Sequence, residues 1–316
     1  MTKPTKTINI KIDAKLVRKL AFEIGFDDCK ICNANPPIKD ISFFENWIAI
    51  NKNADMAYLE KNINIRKDTS LLVPNSKTII CVILNYNQKL DDKEFYISKY
   101  ARGKDYHIVM KEKLASLETA LKQEYSGLIS RIFTDSAPIL ERAFASKAGL
   151  GFIGKNTCLI HPKFGSFTFI GEIICNIEAN YDDSITDNCG TCELCVNACP
   201  VGALSSAGLD ANKCISYHTI ENKNEIPKYT AERITNQVFG CDICQDVCPY
   251  NQNIPLTKYE EFLESEPAKS LSINKLEALS NSQFKKQFVS SPLLRAGKRK
   301  LIANYKLVGE KGKSGE

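Results

Sequence analysis

Long apolar runs are absent from this sequence. No stretch approaches the roughly 20 apolar residues that a membrane-spanning helix needs, which excludes an integral membrane helix. The chain starts Met-Thr-Lys-Pro-Thr-Lys, without the apolar core of a secretory signal peptide. We therefore expect no membrane association and a cytoplasmic location.

A disulfide framework also finds no support, although cysteine is abundant. The 316 residues include 13 cysteines, which is unusual for a reducing compartment unless most of them hold metal. Eight lie between Cys189 and Cys248. A disulfide scaffold spreads its cysteines through a short secreted chain, so the clustering predicts a metal-binding segment.

The cysteine segment contains a bacterial ferredoxin run. The pattern C-x2-C-x2-C-x3-C-P is spelled by Cys189, Cys192, Cys195 and Cys199-Pro200. In such a run the first three thiolates wrap one cubane and the fourth reaches a second cluster. Further on, C-x2-C-x3-C-P, one cysteine short of the full run, is spelled by Cys241, Cys244 and Cys248-Pro249.

Counting assigns these eight cysteines to two [4Fe–4S] clusters. The first cluster takes Cys189, Cys192, Cys195 and, by ferredoxin logic, Cys248. The second takes Cys199, Cys241, Cys244 and the one cysteine of the segment that remains, Cys214. A pair of four-cysteine zinc sites is the alternative, but zinc ribbons do not need the ferredoxin run, so iron–sulfur clusters are favoured.

Hydrophobic periodicity divides the chain into three parts. Residues 1–178 alternate predicted helices and strands, which indicates a mixed α/β layer. The predicted strands are 78–84, 129–133 and 167–177, and the predicted helices are 13–24, 106–125 and one that opens at Asp135. Residues 179–255 hold the cysteines without a long periodic element, and residues 256–316 are mostly helical and basic.

The glycine-rich stretch 149–156 imitates two nucleotide-binding motifs. It matches G-x-G-x-x-G and, except at one position, a phosphate loop. Both motifs follow a strand and open a helix, whereas here a predicted helix comes before and strand-like sequence after, so we reject both. We expect a tight turn, in which the backbone amides and Lys155 either approach a ligand or serve the fold alone.

Asp135 admits two interpretations. It ends a predicted strand and begins a predicted helix, where a capping role is ordinary. A carboxyl at a strand end can also act as an acid in a pocket that excludes water. The residue pattern by itself favours the cap.

The C-terminal residues 285–316 are strongly basic, with nine Lys or Arg against two Glu and a net charge of +7. Such a segment can neutralise the phosphates of a nucleic acid. The alternative is a tail that only keeps the protein soluble.

Several stretches together resemble the epoxyqueuosine reductase family, from about Ile12 to the basic C-terminal region. They are 56–59 (MAYL), 66–68 (RKD), 100–107 (YARGKDYH), 135–142 (DSAPILER), 151–156 (GFIGKN), 165–166 (GS) with 171–172 (GE), 216–221 (SYHTIE) and the eight-cysteine pattern with its isolated Cys214. The resemblance implies a nitroreductase-like α/β domain that binds cobalamin, then a ferredoxin-like domain with two [4Fe–4S] clusters and a short helical, basic C-terminal region. A full helical-repeat extension, as in longer members, is not expected.

The implied reaction is the reduction of epoxyqueuosine to queuosine at the wobble position of tRNA. Electrons pass from an external donor through the two clusters to cobalamin, and Asp135 matches the family's proton donor, which overrides the capping interpretation. The resemblance places five residues at the cofactor or substrate pocket: Arg66, Arg102, Asp135, Lys155 and Asn156. It implies that the anticodon stem-loop is held by four basic residues: Arg295, Lys298, Arg299 and Lys300. We expect a monomer.

Two other functions remain open at this point. A cobalamin reductase of the dehalogenase kind usually carries a twin-arginine export signal, which this sequence lacks, and has no need of a basic tail. A two-cluster electron-transfer protein would leave the α/β layer without a role. A flavin in the α/β domain is a further alternative to cobalamin.

Overall fold

The computed structural model describes residues 11–90, 94–135 and 137–313, so the start of the chain and Ser136 lie outside the described residues. The helices are α1 (Ala14–Ile24), α2 (Ile38–Ala49), α3 (Ile63–Lys67), α4 (Tyr106–Glu124), α5 (Glu141–Lys147), α6 (Leu194–Ala198), α7 (Ile215–Ile220), α8 (Lys228–Ala231), α9 (Ile243–Asp246), α10 (Glu266–Lys269), α11 (Ile273–Ala278), α12 (Asn281–Gln287) and α13 (Lys298–Lys313). The strands are β1 (Asp28–Asn33), β2 (Thr78–Asn85), β3 (Tyr96–Ile97), β4 (Ser130–Phe133), β5 (Phe152–Ile153), β6 (Leu159–Ile160), β7 (Thr168–Cys175), β8 (Leu204–Ser205), β9 (Gly208–Leu209) and β10 (Gln237–Phe239). Within the described ranges, no helix is both long enough and apolar enough to cross a membrane.

A four-stranded antiparallel sheet in the order β1-β2-β7-β4 organises the amino-terminal part. Its central strand β2 is buried at every position, as expected for the apolar run TIICVILN. Helices α1 and α4 cover one face, where Leu114, Leu117 and Leu121 are fully buried. Helix α5 covers the other face through Phe144 and Ala145. The predicted mixed α/β layer is therefore confirmed.

Helix α1 begins and ends where its sequence predicts. Asp13 is the N-cap, and its Oδ1 accepts from the backbone N–H of Lys15 at 2.9 Å. Gly25 ends the helix with a φ of 100°, and its N–H donates to the Ala21 and Phe22 carbonyls. A left-handed residue at this position satisfies carbonyls that would otherwise lack partners, and glycine adopts it without steric cost.

The predicted helix start at Asp135 is wrong. Helix α5 begins six residues later, at Glu141, with Leu140 at its N-cap. Ala137 precedes Pro138, and the proline ring disfavours the helical conformation of the residue before it. Asp135 therefore lies between β4 and α5, outside both, and is not a helix cap.

The C-terminal residues build a second hydrophobic core. Its buried members include Phe239, Phe288, Leu301 and Tyr305, and Ile97 of β3 joins them from the amino-terminal half. Strand β3 also pairs in parallel with β10. The basic segment is thus part of a packed core and is not a solvated tail; the side chains beyond Glu310 lie outside the described residues. The domain limits at residues 178 and 255 stay a prediction.

Candidate active site

The four cysteines predicted for the first cluster surround one cavity. Cys189, Cys192, Cys195 and Cys248 line it, together with Lys155 and Tyr250 among others. The backbone N–H of Lys155 donates to Cys189 Sγ at 3.4 Å. Hydrogen bonds to sulfur are one of the means by which proteins tune iron–sulfur clusters. This donor set therefore fits a [4Fe–4S] cluster.

The other four cysteines of the segment form a second group. Burial, and then the negative charges of Cys214, Asp242 and Cys199, raise the pKa of Cys241 to about 12. Burial raises the pKa of Cys244 well above its ordinary value, and the charges of Cys158, Cys241 and Cys214 add to the effect. Cys199, Cys214, Cys241 and Cys244 thus lie in one region of the fold, with Cys158 also close to Cys244. Because iron binds thiolates, loading such a group releases protons.

A turn between β5 and β6 reaches both cysteine groups. Helix α5 precedes the glycine-rich stretch and strand β5 lies inside it, which confirms that neither nucleotide-binding motif is present. Lys155 contacts the first group through its backbone, and its Nζ lies 3.6 Å from Glu193 Oε1. Asn156 Nδ2 donates to the Cys244 carbonyl at 3.4 Å. The structure thus places Lys155 and Asn156 against the cysteine groups.

Asp135 lies on the loop after β4, with a left-handed φ of 45° that aspartate tolerates better than most residues. Tyr106, the first residue of α4, donates its hydroxyl to Asp135 Oδ2 at 2.6 Å. The Asp135 N–H donates to Glu141 Oε1 at 2.5 Å. The side chain is 68% exposed, so the carboxyl is held in place yet remains accessible to a substrate.

Asp105 caps α4 and orients His107. Its Oδ1 accepts from the His107 backbone N–H at 2.9 Å and lies 2.7 Å from His107 Nδ1. The other ring nitrogen, Nε2, lies 3.8 Å from Asp135 Oδ2. Burial opposes ionisation of Asp105, but the hydrogen bonds from the His107 ring and backbone outweigh it and lower the pKa of this carboxyl. The imidazole therefore stands between two carboxyl groups.

Two further acids, Glu141 and Glu172, belong to the same site. Burial and the neighbouring charge of Asp135 raise the pKa of Glu141 to about 8. Glu172 on β7 is fully buried, and burial followed by the charge of Glu141 raises its pKa well above the ordinary range. Cys81 Sγ lies 4.0 Å from Glu172 Oε1, while Oε2 has no hydrogen-bond partner among the described residues. The surroundings of Glu141 and Glu172 therefore favour the neutral form of both carboxyl groups.

Two arginines border the same site. Arg66 donates to the Ile139 carbonyl at 3.3 Å, and its buried Nε is left without a partner in the described part of the chain. Burial lowers the pKa of Arg66, opposed by the charges of Tyr58, Glu141 and Asp135. Arg295 binds Glu221 through two hydrogen bonds of 2.8 and 2.9 Å and lies 5.8 Å from the centre of the Tyr58 ring.

Arg102 does not join this group. It is only 2% exposed, and it donates to Glu264 Oε1 and to the Ile97 carbonyl, each at 2.8 Å. The guanidinium also lies 5.5 Å from the centre of the Tyr96 ring. A buried ion pair and a carbonyl thus occupy the donors of Arg102 in this structure, and its place at the cofactor pocket stays a prediction.

The four basic residues expected to hold tRNA have different surroundings. Arg295 lies at the Asp135 site, paired with Glu221. Lys298 donates to the Leu279 carbonyl. Lys300 is half-buried, and burial together with Lys223 lowers its pKa to about 8. Arg299 is exposed at the start of α13.

Sequence reasoning did not single out Tyr106, His107, Glu141 or Glu172 as site residues. Each belongs to a stretch that carries the family resemblance, which was the available signal. Periodicity could not find them, because they come from α4, α5 and β7 and meet only in the folded protein.

The family model described as a 4Fe-4S double cluster binding domain matches residues 188–251, and the model described as epoxyqueuosine reductase QueG matches residues 66–136. A curated epoxyqueuosine reductase of Leadbetterella byssophila is 42% identical over 259 residues, which are 81% of this chain and 86% of that relative.

Two solved structures are similar along most of the chain. One is an epoxyqueuosine reductase with an epoxyqueuosine-modified stem loop of tyrosine tRNA. It is 29% identical in sequence and has a TM-score of 0.86, and the similarity covers 93% of this chain and 80% of that chain. The other is the Bacillus subtilis epoxyqueuosine reductase with its catalytic aspartate loop swung out of the active site. It is 29% identical and has a TM-score of 0.84, and the similarity covers the same shares of the two chains.

Proposed function

Because this chain belongs to the epoxyqueuosine reductase family, we propose that it reduces epoxyqueuosine to queuosine at the wobble position of tRNA. The observation that carries the proposal is the similarity, over 93% of the chain, to a reductase solved with an epoxyqueuosine-modified tRNA stem loop. The accessible Asp135 carboxyl and the two cysteine groups supply the two things that a reductive deoxygenation needs, a proton donor and a path for electrons.

Each cysteine group holds one [4Fe–4S] cluster in this proposal. The first cluster is bound by Cys189, Cys192, Cys195 and Cys248, which line one cavity. The second is bound by Cys199, Cys214, Cys241 and Cys244, whose thiols influence one another's ionisation. The backbone N–H groups of Lys155 and Ala203, directed at Cys189 and Cys199 at 3.4 and 3.3 Å, support thiolate in both groups.

Cobalamin is the proposed cofactor between the clusters and the substrate, and the residues around Asp135 fit it. Arg66 Nε and Thr168 Oγ1 are buried polar atoms without partners among the residues that the structure describes. Thr168 lies on β7 near Ile170, whose carbonyl accepts the hydroxyl of Thr134, the neighbour of Asp135. Arg66, Lys155 and Asn156 would hold the cofactor with them. When bound, cobalamin supplies a metal centre that takes up single electrons and is strongly reducing.

Asp135 is the proposed proton donor for the oxygen that leaves. Tyr106 donates to Oδ2 and thereby holds the carboxyl in place. A substrate that covers the exposed side chain would remove water from it and favour the neutral form. The Bacillus subtilis relative has been solved with its catalytic aspartate loop swung out of the active site, and Asp135 here likewise lies outside the helices, before α5.

The partners follow from this function. The anticodon stem-loop of tRNA is the substrate. Arg295 and Arg299 are the exposed residues among the four predicted phosphate contacts, and Arg295 is paired with Glu221. An external reductant would load the clusters. A monomer in the cytoplasm meets these requirements.

The direct test replaces Asp135 and follows the nucleoside. Anaerobically reconstituted protein is incubated with reductant and tRNA that carries epoxyqueuosine, and the digested tRNA is analysed by mass spectrometry. We expect queuosine to accumulate with the wild type and the rate to fall about 10²–10⁴-fold for Asp135→Asn, as is typical when an acid is lost. Iron and cobalamin content should be unchanged. A wild type that leaves epoxyqueuosine intact would refute the function, and an Asp135→Asn variant at full rate would refute the role of the residue.

A further inference from the structure

The reduction proposed above consumes more protons than Asp135 can hold. Conversion of an epoxide to an alkene breaks both carbon–oxygen bonds and releases the oxygen as water, which takes two electrons and two protons. The electrons come from the reduced cofactors. One carboxyl carries one proton. The second proton must therefore come from another group, which can supply it by returning Asp135 to its neutral form.

We propose that His107, oriented by Asp105, is the residue that returns this proton. The inference rests on the proposed function. His107 Nε2 lies 3.8 Å from Asp135 Oδ2, and His107 Nδ1 lies 2.7 Å from Asp105 Oδ1. Asp105 is the N-cap of α4 and His107 lies in its first turn, so one helix end fixes these two side chains relative to each other. In space, the His107 imidazole thus lies between the Asp105 carboxylate and the proton-donating carboxyl of Asp135.

Asp105 decides which nitrogen of the ring exchanges the proton. The Asp105 carboxylate only accepts hydrogen bonds, so Nδ1 carries a hydrogen and Nε2 is the nitrogen that gains and loses a proton. Protonated His107 gives its Nε2 proton to the Asp135 carboxylate and becomes neutral, while Asp135 becomes the neutral acid again. A movement of less than about 1 Å brings the two atoms within hydrogen-bond distance, which is common between free and substrate-bound enzymes. No electrons move in this step.

His107 can then recover its proton from water, since 32% of its side chain is exposed. Three charged groups act around this pair: Asp105 and Asp135 on either side of the ring, and Lys111, which favours the ionised form of Asp105.

The other neighbours of Asp135 are less suited to this task. Burial and the charge of Asp135 raise the pKa of Tyr106 far above its usual value, so the phenol keeps its proton and only donates a hydrogen bond. Glu141 directs Oε1 at the backbone N–H of Asp135 rather than at its carboxyl. Glu172 is fully buried and cannot recover a proton directly from water.

The test measures queuosine formation by reconstituted wild type, His107→Ala, Asp135→Asn and the double variant, with Lys122→Glu at the exposed end of α4 as a control. We expect His107→Ala to be about 10²-fold slower than the wild type, and imidazole in solution to restore part of the rate. The double variant should be no slower than Asp135→Asn, because residues that act in one path are not additive. Asp105→Asn should also be slow, since it removes the acceptor that sets the tautomer.

A second readout does not depend on turnover. The chain has three histidines, so nitrogen NMR of histidine-labelled protein can follow the His107 ring once a His107→Ala spectrum assigns it. We expect hydrogen on Nδ1 in the wild type and a change of tautomer in Asp105→Asn.

These experiments decide whether His107 returns the proton to Asp135. A wild-type rate in His107→Ala, losses that multiply in the double variant, or no response to imidazole would overturn it. A wild type that forms no queuosine would instead refute the function on which the inference rests.

Discussion

Two residues from different helices hold Asp135 in place, one through its side chain and the other through its backbone. Tyr106 of α4 fixes the side chain through Oδ2, and Glu141 of α5 fixes the backbone through the N–H. The left-handed φ of Asp135 is thus held from both sides. A change at Glu141 should therefore affect the loop without removing the proton donor.

The ionisation of Glu141 gives a prediction about stability and pH. The pKa of Glu141 is raised from 4.5 to about 8, so the folded protein binds the proton more tightly than the unfolded chain. This contribution to stability is complete below pH 4.5, decreases as the pH rises, and is lost above about 8. Glu141→Gln keeps an acceptor for the Asp135 N–H but does not ionise.

The melting temperature of the wild type should therefore fall relative to that of Glu141→Gln from pH 6 to about 8, measured anaerobically on protein with equal iron content. The clusters contribute equally to both proteins and cancel in the difference. A difference that stays constant over this range would show that Glu141 does not hold a proton in the folded protein.

At the scale of elements, the β5–β6 hairpin positions the turn that touches both cysteine groups. Gly151 makes the hairpin possible, because a Cβ at this position would lie 2.3 Å from the Ile160 carbonyl oxygen. A backbone atom at that distance cannot move aside as a side chain can. The hairpin therefore depends on glycine here for close approach.

Replacing Gly151 by alanine should displace the turn and weaken the Lys155 N–H bond to Cys189. We expect less iron per protein after reconstitution and faster loss of the cluster absorbance in air, because hydrogen bonds and exclusion of solvent both protect such clusters. Gly309→Ala in α13 is the matched control, since its Cβ would meet nothing within 4 Å. Equal iron content in the two variants would contradict the role assigned to the hairpin.

For the whole molecule, the second core determines how the basic C-terminal segment can act. Leu301, Tyr305 and Val308 of α13 are buried, so deleting the segment would remove part of the core as well as charge. Single charge changes on the exposed face are therefore the informative experiment. Arg299 is suited to it because it is exposed.

Arg299→Glu should weaken binding of the tRNA substrate, and the slope of log affinity against log salt should fall by about 1, the expected loss for one phosphate contact. Lys122→Glu makes the same charge change on α4 and should leave the slope closer to that of the wild type. Identical slopes for both variants would show that Arg299 contacts no phosphate.

The sequence predicted most of this architecture through local patterns. Asp13 and Gly25 mark the ends of α1, and the apolar run of β2 marks a buried strand. The cysteine spacing predicted two groups of four. The start of α5 was missed because Pro138 acts through its neighbour, and the partner of Arg102 is Glu264, 162 residues away. Contacts of that kind leave no periodic signal, and the same holds for the meeting of Asp135 with Tyr106 and Glu141.

In the proposed reaction, this chain uses cluster-derived electrons and cobalamin to remove the epoxide oxygen from tRNA. The most direct measurement is a single turnover: clusters are reconstituted and reduced, excess reductant is removed, and epoxyqueuosine-containing tRNA is added with and without cobalamin. We predict queuosine formation that requires cobalamin and is limited by the electrons stored in the protein. Intact epoxyqueuosine in both samples, with the clusters reduced, would contradict the function, and equal conversion without cobalamin would contradict the cofactor.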